Sequence, residues 1–253
     1  MAAVLPSLLL HLLFGLVVLF TPPGAGKVYG QHTISVTLLF EHTAGTQPLE
    51  LDKVYTNSFS ESFSVSKFRY YISGIEFKDT ITGKDHLVKD RYFLIKEGDK
   101  ASQSITVELP QGKYHRLSFL VGVDSIKNVS GAQSGVLDPL NGMFWTWQSG
   151  YIMAKLEGRS PASPLQHRMF EYHIGGYSGG HSVLNKISLP FPEKAILSRE
   201  TFLHITVDVN KWFDGVHPLS IAAYPACTTT GKLAKDFSEN YQTMFAIKDI
   251  GTQ

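Results

Sequence analysis

Apolar and polar positions alternate along most of this chain. Between His32 and His42, Ile34, Val36, Leu38 and Phe40 fall on one side of an extended strand, with Ser35, Thr37 and Glu41 on the other. Side chains repeat every second residue along a strand, so this segment reads as half-buried. His42 carries the apolar face to the strand end. Residues 63–77 are dense in aromatic and β-branched side chains (Val65, Phe68, Tyr70, Tyr71, Ile72, Ile75) and predict one or two strands. A turn over 80–85 leads to a strand at 92–95, and residues 104–109 alternate again up to the turn Pro110-Gln111-Gly112-Lys113. Strands follow over 114–123, 152–156, 168–174, 183–189 and 201–209, and only 235–245 has helical spacing. The long stretches 124–142 and 158–166 read as loops. Short strands in close succession with little helix predict an all-β fold, an antiparallel β-sandwich in a single domain with long loops.

The first thirty residues do not belong to that pattern. Residues 5–20 are apolar except for Pro6, Ser7, His11 and Gly15, and small residues follow through Gly24-Ala25-Gly26. This is the layout of a secretory signal peptide, which places residues 1–30 in the signal and 31–253 in the mature domain. A retained membrane anchor is the competing reading. The expected location is periplasmic or secreted, with no stable membrane insertion after cleavage. The single cysteine, Cys227, cannot form an internal disulfide, so an exported chain must rely on its core or on a metal. The sequon Asn128-Val129-Ser130 is the one hint of eukaryotic processing. A net charge of +1 from scattered basic residues argues against a nucleic-acid surface.

Candidate chemistry gathers in two places. In Asn141-Gly142-Met143-Phe144-Trp145-Thr146-Trp147-Gln148-Ser149-Gly150-Tyr151, a regular strand would set Met143, Trp145 and Trp147 on one face. That face is either an ordinary core strand or a row of one soft sulfur and two oxidisable indoles. The second place is the histidines. Nine are dispersed through the mature chain without any compact zinc spacing. His42 at the end of an apolar face, and His173 and His181 flanking the loop Gly175-Gly176-Tyr177-Ser178-Gly179-Gly180, stand out. His204 alternates with Thr206 and Asp208 on a polar face and is a weaker candidate ligand. The glycine loop lacks the strand–loop–helix setting of a phosphate-binding loop, and no catalytic triad is evident.

A family resemblance becomes specific here. Phe40-Glu41-His42, the run Val65-Ser66-Lys67-Phe68-Arg69-Tyr70-Tyr71-Ile72-Ser73, and Pro110, Gly112 and Tyr114 are similar to elements of the MbnP-like copper-binding proteins. So are Gly122-Val123-Asp124, Leu137-Asp138-Pro139, the Trp145 and Trp147 segment, Lys155-Leu156-Glu157-Gly158, Tyr172-His173-Ile174-Gly175-Gly176 and Val207-Asp208-Val209-Asn210. The resemblance spans essentially the whole mature chain. It implies a periplasmic copper-binding protein with copper as its bound metal. It also implies a di-haem cytochrome c peroxidase-like (MbnH-like) partner that oxidises a tryptophan to kynurenine, which then helps hold copper. On that reading the metal candidates are His42, His173, His181 and Met143, and the modified candidates are Trp145 and Trp147. Residues 224–233 read as an insertion relative to the family. The expectation is a non-catalytic protein. The rivals are a β-sandwich that binds carbohydrate or a protein partner through exposed aromatics, and an oxidase built on the same metal.

Overall fold

The computed structural model describes residues 33–80, 83–146, 150–192, 197 and 200–252. The signal-peptide reading and Trp147 lie outside the described residues. The chain runs β1 (Thr33–Ala44), β2 (Gln47–Pro48), β3 (Val54–Thr56), the long β4 (Ser62–Asp79), β5 (Asp85–Leu87), β6 (Tyr92–Lys96), β7 (Ser104–Pro110) and β8 (Tyr114–Val121). There follow the short helix α1 (Ser125–Val129), β9 (Phe144–Thr146), β10 (Gly150–Arg159), β11 (Met169–Gly175), β12 (Asn185–Pro190) and β13 (Glu200–Asp208). β14 (Ala226–Cys227), helix α2 (Lys232–Tyr241) and β15 (Phe245–Thr252) complete the chain.

Two sheets form. In the smaller, β13 lies between β15 and β1, and β7 and β2 pair with the other edge of β1. In the larger, the order is β12-β8-β4-β10-β11-β14, with β3, β5 and β6 also pairing with β4, and β9 with β10. The fold is all-β as expected, and its pairing is antiparallel except for β1 with β13 and β11 with β14. The alternation read from the sequence appears directly in β1, where Ile34, Val36, Leu38, Phe40, His42 and Ala44 are buried and the residues between them are not. From the small sheet, Phe40 reaches Tyr70 of β4 and Phe119 of β8, with ring centroids 6.3 and 6.1 Å apart in edge-on contact. These contacts define the layer between the sheets, the usual place for a sandwich core.

The middle of the large sheet departs from simple alternation. Tyr70, Tyr71, Ile72 and Ser73 are buried in succession, and so is β10 from Gly150 to Leu156. Continuous burial means that both faces are covered. The inner face meets the small sheet, and the outer face is covered by the segment from Asp124 to Thr146. That segment is not the plain loop expected. It holds α1, capped by the Asp124 side chain, and 3-10 turns at Gly135–Leu137 and Pro139–Asn141. Its backbone carbonyls accept hydrogen bonds from the sheet below: Tyr71 to Val136 (3.0 Å), Tyr151 to Leu137 (2.8 Å), Arg69 to Asn141 (2.8 Å) and Lys155 to Gly142 (2.6 Å). No helix among the described residues is long and apolar enough to cross a membrane.

Asn128 fastens this cover. Its side chain is fully buried, and its amide donates to the carbonyls of Val123 (2.6 Å) and Asp124 (2.9 Å). Its carbonyl oxygen accepts from Tyr151 N (2.9 Å), and it fills the space that a Cβ on Gly150 would need. Gly150 also sits at φ +75°, a conformation L side chains rarely adopt. The sequon asparagine is thus an internal strut, and in the folded chain its amide is closed to glycosylation.

Candidate functional site

Along β11, Phe170, Tyr172 and Ile174 are buried toward the sandwich core, so Met169, Glu171 and His173 face the other way. In register with them, Lys155 of β10 lies between Arg69 of β4 and His173, and Glu157 lies between Lys67 and Glu171. This outer face carries a compact polar group. Glu157 accepts from His173 Nε2 at 2.8 Å and Lys67 Nζ at 2.7 Å, and Lys155 Nζ stands 3.7 Å away. The His173 hydrogen bond, with Lys67 and Lys155 adding charge, holds the Glu157 carboxyl down at about 2 against the opposing effect of burial. Burial pushes the Lys155 ammonium below its ordinary range.

The aromatic segment closes over the same face. Met143 is fully buried, and its carbonyl accepts from Ile152 N at 2.9 Å. Phe144 packs edge-on against Tyr151, with centroids 4.8 Å apart. Trp145 lies on Gly175: a Cβ there would meet indole Cζ3 at 2.6 Å and Tyr151 O at 2.8 Å. Only a glycine admits the ring this closely. Gly175 is two residues beyond His173, so Trp145 contacts β11 about 7 Å along the strand from that histidine. The expectation of one strand face through Met143, Trp145 and Trp147 extends past the described residues. β9 spans only Phe144–Thr146, Met143 precedes it, and Trp147 lies outside the described residues.

The three histidines do not converge. His42 points into the layer between the sheets, on the inner side of β4, whereas His173 stands on the outer face. His42 Nδ1 lies 2.7 Å from Glu97 Oε2, and Nε2 lies 3.0 Å from the Tyr70 hydroxyl. Burial raises the Tyr70 hydroxyl well above its ordinary range, so it stays protonated and donates to Nε2. Nδ1–H then donates to Glu97. Both ring nitrogens are therefore committed, and His42 offers no lone pair to a metal while this network holds. Burial lowers its pKa, outweighing Glu97. His181 is exposed on the glycine loop, in a groove of about 460 Å³ shared with Thr230 and Gly231. Among the described residues, these three histidines form no trio whose ligand atoms lie within 4.8 Å of one another.

His173 is different. Its Nε2 is held by Glu157, and Nδ1 has no hydrogen-bond partner among the described residues. An imidazole that donates one N–H to a carboxylate and leaves the other nitrogen free is the usual state of a metal-ligating histidine. His204 pairs with Glu41 (2.8 Å) on the polar face of β13, as its alternation suggested. The sequence reading did not single out Glu157 as the partner of His173. The signal was present, since Lys155 and Glu157 alternate onto one face of their strand.

Glu157 gives a pH prediction. Its folded pKa lies below its unfolded value, so the stability it contributes is fully present above about pH 4.5 and is lost as pH falls toward 2. Allowing for solvent screening, Glu157→Gln should cost roughly 1–2 kcal/mol at neutral pH. Urea unfolding of both proteins at pH 7 and pH 3 checks this, since the gap between them should narrow in acid.

Fold and site together describe a two-sheet β protein that carries its candidate chemistry on a covered outer face. Comparison with protein families matches the MbnP model over residues 33–229, and the chain belongs to the MbnP family. Among solved structures it is similar to MbnP from Methylosinus trichosporium at 16% identity and a TM-score of 0.56, over 87% of this chain and 99% of that one. At that identity the likeness is one of fold. No curated protein matches the chain.

Proposed function

We propose that this protein binds copper outside the cytoplasm, without catalytic turnover, at a site built on the outer face of β11 around His173 and Trp145, with Met143 beneath. The observation that carries the reading is the seat of Trp145 on Gly175, one strand repeat from a histidine whose Nδ1 has no hydrogen-bond partner among the described residues. Imidazole and thioether donors suit copper, which also heads the affinity order for nitrogen sites.

The oxidised form follows from the same seat. Conversion of tryptophan to kynurenine breaks the Cγ–Cδ1 bond of the five-membered ring. Two equivalents of a peroxide supply two oxygens and leave as two waters, and hydrolysis of the formyl group then releases formate. The six-membered ring survives, and its edge (Cζ3 and Cη2) is the part that rests on Gly175. The reacting ring is not the anchored one, so the change leaves that contact in place. It replaces an indole donor with a carbonyl and an aromatic amine. A di-haem cytochrome c peroxidase-like partner is the proposed oxidant, as in the family resemblance.

The rival in which exposed aromatics hold a sugar has less to rest on. Among the described residues, Phe59 and Tyr224 are the exposed aromatic side chains, each less than two-fifths accessible. The test treats purified protein with peroxide and the di-haem partner, then reads intact mass and copper content. We expect a gain of about 4 Da from the covalent change and the appearance of a copper equivalent. Both should be lost in Trp145→Phe, and copper alone in His173→Ala. Transfer of the effect to Trp147→Phe would move the modified position, and full binding by both Phe variants would end the kynurenine reading.

A further inference from the structure

Away from the sheet face, one group of side chains among the described residues has metal-binding geometry. His217 Nε2 lies 2.6 Å from Glu239 Oε2 and 3.7 Å from Asp236 Oδ1, and the three ligand atoms fall within 4.8 Å of one another. All three side chains are partly buried. Asp236 and Glu239 are three residues apart on α2 and so share a helix face.

The histidine is held to that face by its main chain. Asn240, the residue after Glu239, is fully buried; its Oδ1 accepts from His217 N at 2.7 Å and its Nδ2 donates to His217 O, also at 2.7 Å. Gly215 lets the loop approach, since a Cβ there would stand 2.8 Å from Asn240 Cα. The turn is tied further by the bridge between Asp214 and Pro218 and by Leu219 N donating to Phe213 O at 2.9 Å. The loop and helix thus fix one nitrogen opposite two carboxylates before any ligand arrives.

The lysines on α2 leave this arrangement open. Lys232 grips Asp236 through Oδ2 (2.6 Å), and Lys235 stands 3.9 Å from Glu239 Oε1. The opposite oxygens, Oδ1 and Oε2, are the ones turned to His217. A simple ion pair would need one carboxylate at the histidine. Two at once, beside a backbone clamp, match a three-ligand site with a further position for water.

We propose that His217, Asp236 and Glu239 form a second metal site, separate from the tryptophan segment, for a borderline divalent cation of the zinc type. One imidazole and two carboxylates are hard to intermediate donors and include no sulfur, which suits Zn(II) and not Cu(I). Metal–nitrogen and metal–oxygen bonds of about 2.0–2.2 Å need ligand atoms a little over 3 Å apart, so Glu239 moves back by about half an ångström from its hydrogen bond. The site does not depend on kynurenine, and its two carboxylates lie on α2, beyond the matched residues 33–229.

The test is calorimetric titration of Zn2+ into the full mature chain, made without any oxidising partner so that its tryptophans are unmodified. One equivalent should bind. His217→Ala should abolish it and Glu239→Gln should weaken it by at least about tenfold, a bound set by the loss seen even for outer-shell partners. Trp145→Phe and His173→Ala should bind as the parent does. Glu239 is on the helix surface, so circular dichroism of Glu239→Gln will show an intact fold even if His217→Ala disturbs its loop. The proposal is overturned if the parent takes up no zinc equivalent, if Glu239→Gln binds unchanged, or if uptake disappears in His173→Ala instead.

Discussion

Replacing His42 by alanine is expected to destabilise the fold by about 3–5 kcal/mol. Three losses combine. A cavity opens in the layer between the sheets, where the imidazole touches Phe68 at a centroid distance of 4.8 Å. The Tyr70 hydroxyl loses its acceptor. The Glu97 carboxylate, almost wholly buried, keeps only Gln103 among its side-chain partners. His42→Phe restores the bulk but not the hydrogen bonds. It should be nearly as costly, because an unpaired buried charge dominates over lost volume. The parent should also weaken in mild acid. Its folded His42 pKa is lowered, so as pH falls below about 6.5 the unfolded chain takes up a proton that the folded state refuses. Denaturant midpoints measured from pH 7.5 to 5 give the result, and a flat profile together with a small effect of His42→Phe would refute the network.

Asn128→Ala should cost about 2–4 kcal/mol, equivalent to a Tm lower by roughly 5–15 °C for a domain of this size. The Val123 and Asp124 carbonyls and the Tyr151 amide lose their side-chain partners together. Asn128→Asp separates the parts: it can still accept from Tyr151 N, but an ionised carboxylate faces two carbonyl oxygens with nothing to donate. It should be at least as damaging as alanine. Because this strut fastens the segment that holds Met143 and Trp145, hydrogen exchange should rise first in residues 124–146 and only later in β1 or β13. Uniform loosening of both sheets would show that the cover is not a separate unit.

Much of the sandwich was legible because burial on one face writes itself as alternation. β1, β7 and β13 are plain examples, and β8, β11 and β12 fall within two residues or so of their expected bounds. β15 was not legible: it is an edge strand with little burial, so no apolar period marks it. The helix expected over 235–245 is real but begins at Lys232 and gives way to a 3-10 turn at Gln242. The short helices of the cover were signalled by caps, Asp124 before α1 and Asp138 before Pro139, rather than by periodicity.

The site was partly legible for a similar reason. Alternation within β11 puts His173 opposite the core residues Tyr172 and Ile174, and the resemblance pointed to the same strand. Nothing along one strand reveals which face of a different sheet another histidine will meet. His42 and His173 therefore looked equivalent in sequence while a sheet separates them in space. Asn128 was misleading in a different way. Its triplet is that of a surface acceptor, and its burial depends on contacts with Tyr151 and Gly150, far along the chain.

The parallel pairing of β1 with β13 sets Ser35 beside Glu200 and Thr43 beside Asp208. That edge of β1 thus waits for β13, and its backbone N–H and C=O groups there stay unpaired throughout synthesis of the residues between. At ordinary elongation rates that interval is roughly ten to thirty seconds. Such distant pairing slows folding, so this side of the small sheet closes only after residues 200–208 have been made.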